Sequence, residues 1–316
     1  MSIKSLKNYI LLLALLVSAK AFAQNFKNEF GFRSENDAYL GMGQDRYYTN
    51  GLFITFRHAI RPNFHSTDIV KKTWEAEFGQ YMYNAVSGSV RNISDVDRPF
   101  AAYLYGGAKI NWFKRNESNF QAGFQIGTIG PDSKGREVQE ALHRIVGFYT
   151  INGWQYQVNN EMGVNASFNF DKLLFRKNNN DFILNTSANL GNTFSGLGVG
   201  ITYRTGALNP IFSSITTNSR ITNNQSDTVK RESFFYARPS LKFVGYNATL
   251  QGGLFQKDKG PVVYTPNRLV FSQEFGLMYA KNRWSLNFGV IFQTKELKEQ
   301  IKSLQYGTAS IFYRFN

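Results

Sequence analysis

Ser285-Leu286-Asn287-Phe288-Gly289-Val290-Ile291-Phe292 and Thr308-Ala309-Ser310-Ile311-Phe312-Tyr313-Arg314-Phe315 carry the signal that assigns this chain to a class. Successive side chains of a strand point to opposite faces. In the first stretch Leu286, Phe288, Val290 and Phe292 therefore share one face. In the second, Ala309, Ile311, Tyr313 and Phe315 oppose Thr308, Ser310, Phe312 and Arg314. Phe30-Gly31-Phe32-Arg33-Ser34-Glu35 and Leu52-Phe53-Ile54-Thr55-Phe56-Arg57 alternate in the same way. Segments of about ten alternating residues with aromatic ends and polar turns mark strands of a transmembrane β-barrel. A last strand with Phe315 next to its end predicts delivery to the barrel-assembly machinery.

Working outward, about twelve such segments can be counted, near 27–36, 47–58, 73–83, 100–113, 118–129, 161–170, 181–190, 196–205, 233–246, 268–281, 283–294 and 305–315. An even count suits a single-chain antiparallel barrel. Asn178-Asn179-Asn180-Asp181 and Lys281-Asn282-Arg283 read as tight turns. Longer polar connections fall at 59–72, 84–99, 130–160, 206–232 and 247–267, and the long ones are expected outside the cell. Composition agrees, with 29 Phe, 17 Tyr, 27 Gly and a mean hydropathy of −0.34, although a soluble β-sandwich could share it.

Residues 1–23 have the form of an export signal. Lys4 and Lys7 precede the apolar run Ile10–Val17, and Ala21-Phe22-Ala23 is a small-x-small cleavage site. The run is short for a transmembrane helix, and no later segment approaches twenty apolar residues. Residues 24–316 read as one barrel unit, with no repeat, linker or second domain. The chain has no cysteine, so disulfides and thiolate metal sites are excluded despite export. The formal charge of +14 includes three lysines of the signal and suits an anionic surface such as phosphorylated glycolipid. An exported chain without a binding motif is not expected to bind nucleic acid.

One segment departs from strand periodicity. Gly130-Pro131-Asp132-Ser133-Lys134-Gly135-Arg136-Glu137-Val138-Gln139-Glu140-Ala141-Leu142-His143-Arg144 reads as a turn and then a short helix near 134–146. At about 100° per residue Val138, Leu142, Ile145 and Val146 cluster on one face. His143, one of three histidines, lies a quarter-turn off that face beside Gln139 and Arg136. An imidazole so placed can rest on a wall and still reach polar chemistry, as a general base must; a structural loop histidine is the alternative. Two further clusters are dense in polar residues. Glu35-Asn36-Asp37 ends the first strand and Asp45-Arg46-Tyr47-Tyr48-Thr49-Asn50-Gly51 opens the second, so a hairpin brings them together. Carboxylate, amide and hydroxyl oxygens there suit a hard cation such as Ca²⁺, although Asn-Asp is equally a turn former. Asp95-Val96-Asp97-Arg98-Pro99-Phe100 is the other, and a lumenal ion pair is the equal alternative for its Asp97-Arg98.

Taken together, Glu35-Asn36-Asp37, Asp45 through Gly51, Asp97-Arg98-Pro99-Phe100-Ala101, Ile129-Gly130-Pro131 through Gln139, His143-Arg144-Ile145 and Gly153-Trp154-Gln155 resemble the outer-membrane lipid A 3′-O-deacylases, the LpxR family. The resemblance implies a twelve-stranded outer-membrane barrel whose active site lies between the wall and a helix of an extracellular loop. It implies Ca²⁺-dependent hydrolysis of the ester-linked 3′ acyl group of lipid A, with lipopolysaccharide as substrate among the outer-membrane lipids. His143 matches the family base, and Asn36, Asp37 and Thr49 match the calcium and oxyanion region. Asn36 and Asp37 are the metal candidates, while Gln139, Asp97 and Arg98 support. The family lysine two residues before the Asp-Arg pair is here Asp95, so Arg98 takes over its role or Asp95 joins the metal shell. No protein nucleophile is required, in keeping with the absence of a Gly-x-Ser-x-Gly elbow and of cysteine. His58 and His65 match nothing in the family. The rival readings are an outer-membrane phospholipase with similar ester chemistry and a porin-like or structural barrel.

Overall fold

The structure is a computed structural model that describes residues 25–41, 45–61, 68–224 and 229–316. The export signal and His65 lie outside the described residues. Twelve strands form: β1 (Asn28–Asn36), β2 (Tyr48–Ile60), β3 (Ile69–Tyr83), β4 (Ala101–Lys114), β5 (Ser118–Ile129), β6 (Glu161–Lys177), β7 (Asn180–Gly191), β8 (Phe194–Ala207), β9 (Glu232–Asn247), β10 (Leu269–Lys281), β11 (Trp284–Gln293) and β12 (Leu304–Phe315). Each pairs antiparallel with its sequence neighbours, and β1 pairs with β12, Phe30 opposite Tyr313, to close the barrel. Every segment read from alternation is a strand. Among the described residues no helix is long and apolar enough to cross a membrane.

The alternation sorts the two faces as the pattern requires. Phe30, Phe32, Ile54, Phe78, Phe124, Phe288, Phe292, Ile311 and Tyr313 are exposed on the outer face. The inner face carries charge: Arg57 pairs with Glu29 at 2.6 Å and with Glu75, and Lys109 spans Glu75 and Glu77 at 3.0 and 3.2 Å. Polar side chains inside and an apolar belt outside are the inverse of a soluble core and the usual order of a barrel in lipid.

The connections sort less simply. One end of the barrel carries the turns at 115–117, 178–179 and 282–283 together with the start of β1 and the end of β12, which marks it as periplasmic. The connections 37–47, 84–100, 130–160, 248–268 and 294–303 lie at the other end. The connections read as 59–72 and 206–232, expected outside the cell, are instead at the periplasmic end. The reason for the second is electrostatic. Between β8 and β9 the chain folds into the barrel mouth, where buried Arg204 donates to both oxygens of Asp181 (2.8 and 2.6 Å) and to Ser214 Oγ at 2.8 Å. Buried Glu232 accepts from Ser214 Oγ, the Ile215 amide and Arg220 Nη1 at 2.6, 2.9 and 3.2 Å. Length alone does not distinguish a plug from an external loop.

Breaking such a buried pair leaves an uncompensated charge and costs about 3–5 kcal/mol. Asp181→Ala should therefore insert as a barrel but unfold at clearly lower urea concentration than wild type, with new protease cleavage within 208–231. An unchanged urea midpoint would show that the plug contributes nothing to stability.

Candidate active site

The site is built on the outer face of the wall. Asn36 stands opposite Asn50, Asn50 opposite Met82, and Met82 opposite Ala102, a row crossing β1 to β4. Two rows nearer the membrane centre, Phe32, Ile54 and Phe78 form part of the exposed apolar belt. Above the row lies helix α1 (Gly135–Val146). Its Val138 and Leu142 pack with Met82, Phe100, Ala102 and Trp154. Close approach is possible because two positions lack a side chain. A Cβ at Gly135 would sit 2.3 Å from Ala102 Cβ, and one at Gly153 would sit 1.9 Å from the Phe100 ring. Gln80 of the wall donates to the Ser133 carbonyl at 2.6 Å just before the helix, and Trp154 Nε1, later in the same connection, donates to Gln139 Oε1 of the helix at 3.0 Å. The helix stops at Gly147, left-handed with φ 74°, whose N–H returns to the His143 carbonyl. Val146, expected to pack with Val138 and Leu142, is exposed together with Ile145 and Phe148. The last turn carries these residues past the edge of the wall.

His143 is buried between helix and wall. Its Nδ1 is 2.8 Å from the Tyr149 carbonyl oxygen, which only accepts, so Nδ1 carries a hydrogen. Its Nε2 is 2.7 Å from Asp45 Oδ2. The Tyr149 hydroxyl donates to the same Asp45 oxygen at 2.9 Å. The rings of Phe148 and Tyr149 stand edge-on to the imidazole at 5.5 and 5.1 Å. Asp45 and Tyr149 were not singled out from the sequence as partners of the histidine. Asp45 lay within a quoted motif, but its pairing spans 98 positions of chain and has no local pattern; Tyr149 had no signal at all.

Asp37 lies on the turn that follows β1 and is joined to this group through one residue: its Oδ2 accepts from the Arg46 amide at 2.5 Å. Its Oδ1 is buried with no hydrogen-bond partner among the described residues. Burial raises its pKa from 3.8 to about 8, with the nearby Asp45 charge adding and backbone N–H groups opposing. A buried carboxylate with an idle oxygen is what a hard cation relieves. Among the described residues no three His, Asp or Glu side chains converge as a metal set. Calcium, however, also draws on amide and main-chain carbonyl oxygens, so Asp37 and the oxygens of its own turn fit such an ion. Asn36 caps that turn: its Oδ1 accepts from the Ala38 amide at 2.6 Å, and its Nδ2 donates to Asn50 Oδ1 at 2.5 Å. Thr49 is buried beside it and accepts from Asn50 Nδ2 at 3.5 Å.

The remaining candidates sit around this centre. Asp97 accepts from the Tyr47 hydroxyl at 2.6 Å and from the Val86 and Ile301 amides at 2.8 and 3.0 Å. It thereby holds Tyr47, a non-glycine residue with φ 59°, at the entry to β2. Arg98 does not pair with Asp97; it bonds Glu296 at 3.1 Å and Thr249 at 3.0 Å and covers the Tyr83 ring. Gln139 is buried one turn before His143, with its Nε2 unpartnered. Asp95 is exposed and, among the described residues, bonds Asn92 and Ser94 of its own turn. His58 bonds Asn28 near the periplasmic end, far along β2 from this site.

A closed twelve-stranded barrel with an apolar belt, and a polar site on the belt side of its rim, defines an integral protein of the outer membrane. The comparisons agree. The sequence matches the family described as "Outer membrane protein LpxR" over residues 10–315, and the chain belongs to that family. Among solved structures it is similar to LpxR from Salmonella typhimurium, at 23% identity and a TM-score of 0.72, with 91% of this chain and 100% of that chain covered. It is also similar to the β domain of the Bordetella autotransporter BrkA, at 8% identity and a TM-score of 0.50, with 92% of this chain and 100% of that one covered. No curated relative matches.

The Asp37 shift has a definite sign. Its folded pKa of about 8 exceeds the model-peptide value of 3.8, so the folded state binds more protons between those limits. Stability should then fall as pH rises from about 4 towards 8. In chelator, urea unfolding of wild type is expected to show this slope and Asp37→Asn to lose most of it. A slope unaltered by the substitution would assign the proton elsewhere.

Proposed function

We propose that this protein is a Ca²⁺-dependent hydrolase that removes the 3′-O-linked acyl chain of lipid A, with His143 as general base. The observation that carries the reading is a buried imidazole on the outer face of a membrane barrel, one short step above its lipid-facing belt. An ester whose acyl chain lies in the outer leaflet reaches that height by lateral diffusion and need not leave the membrane. Exposed Ile145, Val146 and Phe148 continue the apolar surface beside the imidazole. Family membership and the resemblance of the site motifs supply the substrate; the wall geometry supplies the access.

The chain's own groups then divide the work. Nδ1–H is given to the Tyr149 carbonyl, so Nε2 is the nitrogen that exchanges protons. It takes a proton from water as the water oxygen bonds to the ester carbonyl carbon. When the bond from that carbon to the sugar 3′ oxygen breaks, the same proton passes to the departing alkoxide, giving a fatty acid and a free hydroxyl. Asn36 and Thr49 stand at the wall edge with an amide and a hydroxyl hydrogen to offer the tetrahedral oxygen. Calcium held by Asp37 and its turn would polarise the carbonyl and oppose the negative charge on that oxygen. No serine or cysteine is needed.

Purified protein should release the 3′-linked fatty acid from lipid A in calcium and lose that activity in chelator. It should act far more slowly on glycerophospholipid. His143→Ala should remain a heat-modifiable folded barrel while the rate falls by roughly 10²–10⁴-fold, the usual worth of a general base. His58→Ala should leave it intact. Full activity in excess chelator would remove the metal, and equal turnover of phospholipid would overturn the substrate.

A further inference from the structure

Tyr149 closes a ring of contacts around His143. Its carbonyl takes the Nδ1 hydrogen, and its hydroxyl donates to the Asp45 oxygen that faces Nε2. At 2.7 Å an imidazole nitrogen and a carboxylate oxygen must have a hydrogen between them. With Nδ1–H already committed, that hydrogen fills the Nε2 position whichever of the two atoms carries it, so Nε2 has no lone pair open to water. To take a proton from water, Nε2 must face a water molecule, and Asp45 stands where that water has to come.

A water entering between Nε2 and Oδ2 resolves the conflict. It has two hydrogens and finds two acceptors, the imidazole lone pair and the carboxylate, so its own lone pair is turned away from both. We propose that Asp45 is a catalytic residue, the second acceptor that orients the nucleophilic water, and that Tyr149 is the positioning residue that fixes it. The proposal rests on the hydrolase reading above. In the step itself the water O–H facing Nε2 breaks, its proton goes to Nε2, and the oxygen bonds to the carbonyl carbon while its other hydrogen stays on that oxygen, hydrogen-bonded to Asp45 Oδ2. As the sugar C–O bond breaks, Nε2 returns the proton to the alkoxide, and Asp45 ends as it began. Between these events Asp45 also faces the imidazolium, a favourable charge pair in a buried site. Asp45 reaches this position because Tyr47, locked by Asp97, fixes the entry to β2 two residues later.

Three variants test this with lipid A as substrate and the barrel's heat-modifiable migration as the check on folding. Asp45→Asn is expected to lower kcat on the order of 10²-fold with KM unchanged. Tyr149→Phe keeps the backbone carbonyl and should lower kcat about tenfold, the worth of one hydrogen bond to a charged group. Asp45→Asn combined with His143→Ala should be no slower than His143→Ala alone, since the two act on one water. Asp45→Asn should still bind calcium by calorimetry, weakened only by the loss of one nearby charge; abolished binding would make Asp45 a metal ligand and overturn the proposal. A second readout needs no turnover. Diethylpyrocarbonate should modify His143 several-fold faster in Asp45→Ala than in wild type, with His58 as internal control, because Nε2 is uncovered. An active wild type with near-normal Asp45→Asn sinks this inference alone. If wild type hydrolyses no lipid A ester, the hydrolase reading fails; faster His143 modification in Asp45→Ala would then leave a purely structural pair.

Discussion

Pairing of β1 with β12 is the constraint on which everything else rests. In hydrocarbon each unpaired backbone N–H or carbonyl costs several kcal/mol, so a wall of strands must close on itself without an edge. A closed wall cannot open a cleft between strands for a substrate. Chemistry has to be added to one of its two faces, and here an added helix lies against the outer one. The chain spends small residues on that contact, with Ala102 on the wall, Gly135 at the helix start and Gly153 over Phe100. Larger side chains at these points would lift α1 away and carry His143 with it. The closing pair β1–β12 and the seat of the helix on β3 and β4 are thus parts of one arrangement, because β1, β2 and the connection between them supply Asn36, Thr49, Asp37 and Asp45 to the same outer rim.

The inner face serves a different end. Arg57, Glu29, Glu75, Lys109 and Glu77 satisfy one another across β1 to β4, and lumenal cavities of about 360–470 Å³ remain. Ile215, Thr216 and Asn218 of the β8–β9 segment line the lower space. The segment and its ion pairs lie across the path that a solute would take to the periplasm. A porin-like use of this barrel would require that buried network of Arg204, Asp181, Glu232 and Arg220 to give way.

Strands were legible because their signal is local. An outward row such as Leu286, Phe288, Val290 and Phe292 declares itself every second residue, whatever it pairs with. The helix declared itself by a change of period around Val138 and Leu142. Its end did not: Ile145 and Val146 continue the apolar stripe in sequence, yet the wall stops before them. The same limit hid the direction of the 206–232 connection, since polarity and length describe an external loop and an internal plug alike. At the site, Asn36, Asp37 and Thr49 were readable as a hairpin's facing ends, and His143 as an odd histidine on a helix flank. The Asp97-Arg98 pair was read from adjacency, but the two side chains diverge, Asp97 to Tyr47 and Arg98 to Glu296. Asp45 and Tyr149 are joined to His143 only by the fold.

Two acids share the rim, and their surroundings differ in a way that assigns them different work. Asp45 faces His143 Nε2 at 2.7 Å and takes a hydroxyl hydrogen from Tyr149, so it is answered by side chains that can move or exchange a proton. Asp37 is answered only by fixed backbone N–H groups, and one of its oxygens by nothing. Partial charges of that kind do not balance a buried carboxylate, which is why burial, with the Asp45 charge adding, holds its pKa at about 8. A mobile proton beside Asp45 suits acid–base chemistry. An unanswered charge at Asp37 suits a cation that stays. The two carboxylates are close enough to feel each other, so a cation at Asp37 would also ease the cost of keeping Asp45 ionised beside the base.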